Sequence, residues 1–191
     1  MKQEQAVVVG SLSDVAAKSG MSIAESFISA TAIILVDVSG SMHTRDSRGS
    51  KSRYDVALDE LAVLQRTMPG RLAVIAFSDG AIFVPGGVPS CLAGGTDVAA
   101  ALRFAKVADV PDMRFFLISD GEPNDAAEAL AVAATFTARI DTIFVGPERG
   151  DRGRDFLERL AAATGGQSAT AECVKELAET TKRMLLEEAH R

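Results

Sequence analysis

Residues 32–42 read AIILVDVSGSM, and the fold turns on how this stretch is interpreted. The first seven residues form a continuous apolar, β-branched run broken only by Asp37. A run of this length without polar alternation suits a strand covered on both faces, as in a parallel sheet. Residues 71–77 (RLAVIAF), 114–119 (RFFLIS) and 140–145 (IDTIFV) repeat the pattern. Amphipathic stripes lie between them. Tyr54, Leu58, Leu61 and Met68 predict a helix with Ser50 or Ser52 as N-cap and Pro69-Gly70 as its stop. Val98, Leu102 and Ala105 form a second stripe, and Leu130, Ala133 and Phe136 a third. Leu157, Leu160 and Thr164 form a fourth, closed by Gly165-Gly166, and Val174, Leu177, Ala178, Thr181 and Leu185 form the last. Residues 81–84, after Ser78-Asp79-Gly80, read as a hairpin partner of the preceding strand, and residues 167–170 as a final short strand. This alternation predicts an α/β, doubly wound, mostly parallel sheet with helices on both faces.

The chain has 191 residues and is 47% hydrophobic, enough for one sizeable core and too little for two. A formal charge of −6 argues against a general phosphate-binding surface, and 5% aromatics with no Trp argue against base stacking. Cys91 and Cys173 stand far apart and outside any CxxC spacing, so they read as reduced packing residues. The opening MKQEQAVVVGSLSD has too short an apolar stretch for a signal peptide, and no apolar run is long enough to span a bilayer. The expectation is a cytoplasmic protein.

Asp37 closes the first core strand, and Ser39 and Ser41 follow in a D-x-S-x-S pattern. In an open α/β sheet, ligands bind outside the carboxyl ends of the strands, where the strand order reverses. Gly40 allows the sharp turn that presents two hydroxyls on one side. Thr96 follows Gly94-Gly95 just before a predicted helix, and Asp120 ends another core strand within Ile118-Ser119-Asp120-Gly121. Two carboxylates and three hydroxyls form an all-oxygen set, which selects Mg²⁺, Mn²⁺ or Ca²⁺ and gives zinc or copper nothing to prefer.

These residues resemble the metal-ion-dependent adhesion site of von Willebrand factor A domains. The resemblance begins near Ala32 and runs to the last helix, through residues 37–42 (DVSGSM), Gly95-Thr96-Asp97, residues 119–123 (SDGEP) and residues 160–166 (LAAATGG). It implies a Rossmann-like sheet with one antiparallel edge strand. It also implies direct metal bonds from Ser39, Ser41 and, in an open state, Thr96, with Asp37 and Asp120 acting mainly through water. A Glu or Asp carboxylate of a partner protein would complete the shell. In soluble intracellular members the partner is often an AAA+ ATPase or another assembly factor.

Residues 1–30 lie mostly outside the resemblance and read as an N-terminal helical extension, with residues 31–191 as the domain. Residues 13–28 (SDVAAKSGMSIAESFI) are loosely similar to a helix-turn-helix of the lactose-repressor type, yet they lack the basic residues that grip phosphate. Packing against the domain is the simpler expectation. The polar loop at residues 42–52 should overlie the metal face; any one of its side chains reads first as part of a solvated loop, with Arg45 or Asp46 as the candidates for setting specificity, and Asp125 reads as a helix N-terminal charge. Phosphate-binding glycine loops, a nucleophile elbow and any pairing of His43 or His190 with a nucleophile are missing from the sequence. The competing class is a Mg²⁺-dependent phosphatase of the haloacid dehalogenase type, which shares the fold and the strand-end Asp. Such an enzyme needs a second Asp where Ser39 stands.

Overall fold

The computed structural model describes residues 7–47, 50–90, 93–147 and 151–170; Cys91, Cys173, His190 and the stripe from Val174 to Leu185 lie outside the described residues. Among the described residues six strands form one sheet: β1 (Ala32–Asp37), β2 (Leu72–Phe77), β3 (Ala81–Phe83), β4 (Arg114–Ser119), β5 (Arg139–Phe144) and β6 (Ser168–Thr170). Their spatial order is β3-β2-β1-β4-β5-β6. β1 pairs in parallel with β2 and β4, setting Ala32 opposite both Leu72 and Arg114, and only β3 runs antiparallel, at the edge. The α/β doubly wound sheet with one antiparallel edge strand is therefore observed as expected.

All six residues of β1 are buried. Ile33 and Leu35 join one core layer with Phe115 and Leu117, whereas Ile34 and Val36 join the other with Phe116 and Ile118. This two-sided burial is why the strand carries no polar alternation. The first layer is covered by α4 (Val98–Ala105), α5 (Ala126–Ala133) and α6 (Asp151–Ala163), and the second by α3 (Arg53–Thr67). Helix α3 is capped by Ser52, whose hydroxyl accepts from the Asp55 N–H in a capping box, and the stripe residues Leu61 and Met68 are buried. Phe136 departs from the expected helical stripe. Helix α5 ends at Ala133, and Phe136 instead stacks edge-on against Phe115 at 5.1 Å.

The N-terminal segment forms α1 (Leu12–Ser19) and α2 (Ile23–Ile28), both laid on the domain. Val8 N–H donates to Gly86 O at 3.0 Å, Gly70 N–H to Gly10 O at 2.9 Å, and Phe27 meets Phe83 edge-on at 5.4 Å. Leu12 and Ala16 are buried. Among the described residues no helix is long and apolar enough to cross a membrane.

Strand order reverses at β1, with β2 on one side and β4 on the other. The carboxyl ends of β1 and β4 thus flank the crevice in which ligands of open α/β sheets bind.

Candidate metal centre

Asp37 is the last residue of β1 and is fully buried. Its Oδ1 accepts the Ser39 N–H at 2.9 Å, which shapes the turn, and its Oδ2 accepts the Ser119 hydroxyl at 2.7 Å. The turn presents the Ser39 and Ser41 hydroxyls 3.1 Å apart. Burial pushes the Asp37 carboxyl up to about 6, against hydrogen bonds from Ser39 and Ser119 that pull it down, while the nearby Asp120 raises it further.

Thr96 is brought in by the 94–96 loop. Gly40 N–H donates to Gly94 O at 3.1 Å, coupling this loop directly to the serine turn. Asn124 clamps Thr96 reciprocally: its Oδ1 accepts the Thr96 N–H at 2.9 Å, and its own N–H donates to Thr96 O at 2.9 Å. Asp79 Oδ1 accepts the Gly95 N–H at 2.8 Å. The N-cap of α4 is Asp97, accepting from Ala100, so the Thr96 side chain is not spent on capping. Asp125 caps α5 in the same way by accepting from Glu128, in line with its reading as a helix N-terminal charge.

Asp120 follows β4 directly and is 2% exposed. Its Oδ2 accepts the Arg53 Nη1–H at 2.6 Å, while its Oδ1 is buried with no hydrogen-bond partner among the described residues. Arg53 simultaneously donates from Nε and Nη2 to Asp46 at 2.9 and 2.8 Å. These carboxylates raise the guanidinium above its ordinary range, and Arg53 holds the Asp46 carboxyl below the usual one. Gly121 has φ +76°, and a Cβ there would lie 2.1 Å from Gly153 O, so the turn after Asp120 and the start of α6 require bare backbone. A cleft of about 210 Å³ lined by Arg53, Asp120, Glu122, Phe144 and Arg152 borders this wall. The larger cavity, about 920 Å³, lies away from these residues between α2 and α4, with Phe27, Ile28, Phe104 and Val107 in its lining.

The five expected oxygen residues thus stand on three segments knitted together at the carboxyl ends of β1 and β4. Among the described residues no three His, Cys, Asp or Glu form a metal-holding cluster, so any cation here relies on hydroxyls as well as carboxylates. An all-oxygen set with one buried, unpartnered carboxylate oxygen fits a hard divalent cation. Sequence reasoning missed Ser119, Arg53, Asn124 and Asp79. Only Ser119 left a visible trace, as a lone hydroxyl ending an apolar strand.

No protein-family model and no curated protein matches the chain. Solved structures do. An aerotolerance-related membrane protein from Bacteroides fragilis superposes with a TM-score of 0.65 at 17% identity, covering 83% of this chain and 99% of its own. BatB from Bacteroides thetaiotaomicron gives 0.60 at 16% identity, covering 81% and 98%. A von Willebrand factor type A protein from Catenulispora acidiphila gives 0.58 at 22% identity, covering 82% of this chain and 42% of that one. At these identities the likeness shows the fold alone: the chain shares the α/β Rossmann-like architecture of these structures, a von Willebrand factor type A protein among them.

Proposed function

We propose that this chain is a divalent-metal-dependent protein-interaction module and not an enzyme. Asp37, Ser39, Ser41, Thr96 and Asp120 hold Mg²⁺, or in its place Mn²⁺ or Ca²⁺, and a Glu or Asp of a partner protein completes the shell. The observation that carries this reading is the buried, unpartnered Oδ1 of Asp120 at the same sheet edge as the paired Ser39 and Ser41 hydroxyls. Neutral hydroxyls leave a bound dication with residual positive charge, which favours an acidic ligand over water. The module acts in the cytoplasm, with an AAA+ ATPase or similar assembly factor as the class of partner.

The phosphatase alternative is disfavoured by the same residues. The residue two places after Asp37 is Ser39, whose hydroxyl cannot act as a general acid in place of an aspartate. Duplex binding through α2 fits no better, since Ile23–Ile28 carries Glu25 and no Lys or Arg.

Calorimetric titration of metal-stripped protein with Mg²⁺ and Mn²⁺, beside a Ser39→Ala/Ser41→Ala variant, tests the proposal. One saturable site in the natural protein, lost in the folded variant, is the expected result. Equal binding by both proteins would refute the assignment, and steady phosphoester hydrolysis abolished by Asp37→Asn would favour the phosphatase.

A further inference from the structure

Arg53 occupies an unexpected place for a cation. It is the first residue of α3, where the helix dipole disfavours positive charge, yet its side chain is only 11% exposed. The guanidinium turns away from the helix and divides its donors between two carboxylates. Its Nε and Nη2 form a fork on Asp46, and Nη1 alone reaches Asp120 Oδ2 at 2.6 Å. The backbone reinforces this position, because Arg53 N–H donates to Thr44 O at 3.1 Å and fixes the loop that carries Asp46.

The two oxygens of Asp120 consequently differ. Oδ2 is saturated by a charge-assisted bond, and Oδ1 is buried and unpartnered. The distinction matters for cation choice. Ca²⁺ takes six to eight oxygens and readily accepts a bidentate carboxylate, whereas Mg²⁺ demands near-octahedral geometry with shorter bonds. The geometry points to Arg53 as a specificity-determining residue. In departure from the water-mediated role that the resemblance implies for Asp120, its free Oδ1 meets the ion directly; by withholding Oδ2, Arg53 restricts that carboxylate to one oxygen and selects small octahedral cations, Mg²⁺ or Mn²⁺, over Ca²⁺. This inference rests on the metal-binding reading above.

The test compares the ratio of Ca²⁺ to Mg²⁺ affinity in the natural protein, Arg53→Gln and Arg53→Lys. A ratio is read because loss of a nearby positive charge raises affinity for both cations alike. Arg53→Gln is expected to shift the ratio about tenfold or more toward Ca²⁺, by freeing Asp120 for bidentate contact. Arg53→Lys should stay within about threefold of the natural ratio, since the Asp120 contact uses a single N–H and the fork is needed only at Asp46. An unchanged ratio in Arg53→Gln overturns the inference and leaves the metal site standing. Failure of the natural protein to bind either cation overturns the metal reading and this inference with it. Should Arg53→Gln not fold, guanidinium ¹⁵N NMR of the natural protein decides: the Arg53 N–H signals must stay in slow exchange when Mg²⁺ is bound. Release of the guanidinium on Mg²⁺ binding refutes its role in withholding Oδ2.

Discussion

Removing the buried charge of Asp37 should stabilise the metal-stripped protein while destroying its capacity for metal. Burial pushes this carboxyl from the ordinary 3.8 up to about 6. Because the folded value lies above the unfolded one, the protonated form is the one the fold prefers. The stability tied to this proton is fully present below about 3.8 and is lost as pH rises through about 6. Above that window the ionised carboxylate costs about 3 kcal/mol in the absence of a cation. Asp37→Asn removes the charge and keeps one acceptor for the Ser39 N–H, now at 2.9 Å, but it loses the charge-assisted bond from Ser119. That loss costs about 1 kcal/mol, leaving a net gain of about 2 kcal/mol near neutral pH, or about 4–8 °C in melting temperature. Thermal and urea denaturation in chelator measure it, and the gap between the proteins should close near pH 4. Mg²⁺ at about a hundredfold its dissociation constant then stabilises the natural protein by about 2.7 kcal/mol and the variant by nothing, inverting their order. A variant less stable than the natural protein in chelator at neutral pH would refute the reasoning, because the hydrogen bonds would then outweigh the cost of burying the charge.

Two further outcomes follow from other parts of the structure. Gly121→Ala places a Cβ 2.1 Å from Gly153 O at φ +76°, against backbone that cannot swing aside. It should cost about 3 kcal/mol or more in urea denaturation and loosen α6 from the Asp120 turn. Asp109 has its carboxyl raised by burial, yet bonds from Lys106 and from the Thr137 and Ala138 N–H groups prevail and hold it at about 2. Its stabilisation is therefore present above about 3.8 and lost as pH falls through about 2. Asp109→Ala should cost about 2 kcal/mol at neutral pH, and urea midpoints measured along an acid titration should show the difference shrinking below that window.

The sheet was legible because burial on both faces leaves a local mark. Residues 32–36, 72–77 and 115–118 each carry their own evidence as uninterrupted apolar runs, and the Ser78-Asp79-Gly80 turn announces the antiparallel edge. The five candidate ligands could be assembled because each lies at a strand end or loop that the topology sends to one edge. Their supporting contacts could not. Arg53 and Asp120 are 67 residues apart, and nothing in Ser52-Arg53-Tyr54 distinguishes a crevice arginine from an ordinary solvated one at a helix start. Asn124 reads as a turn residue, and only its reciprocal bonds with Thr96 reveal a clamp. Asp46, suspected of setting specificity, touches Asp120 only through Arg53. Gly153 looks like a weak point within α6, whereas its backbone is what the Asp120 turn rests against. Local pattern encodes burial and punctuation, while side-chain pairing across distant segments is fixed only when the layers close.

On the proposed reading, Arg53 also decides what charge the site shows a partner. Asp37 and Asp120 together carry two negative charges, which offset part of a bound dication's charge, while the three hydroxyls add none. Arg53, buried against Asp120, adds a positive charge beside the metal-loaded crevice. Asp46 offsets only part of this, because it is a third exposed and its field is screened by water. The same cation that opposes metal entry therefore strengthens the attraction for an acidic side chain once the metal is bound. Metal affinity and partner affinity pull in opposite directions at this one residue. A site built solely for tight metal capture would have no use for it, whereas a site built to present an incompletely neutralised metal to another protein does.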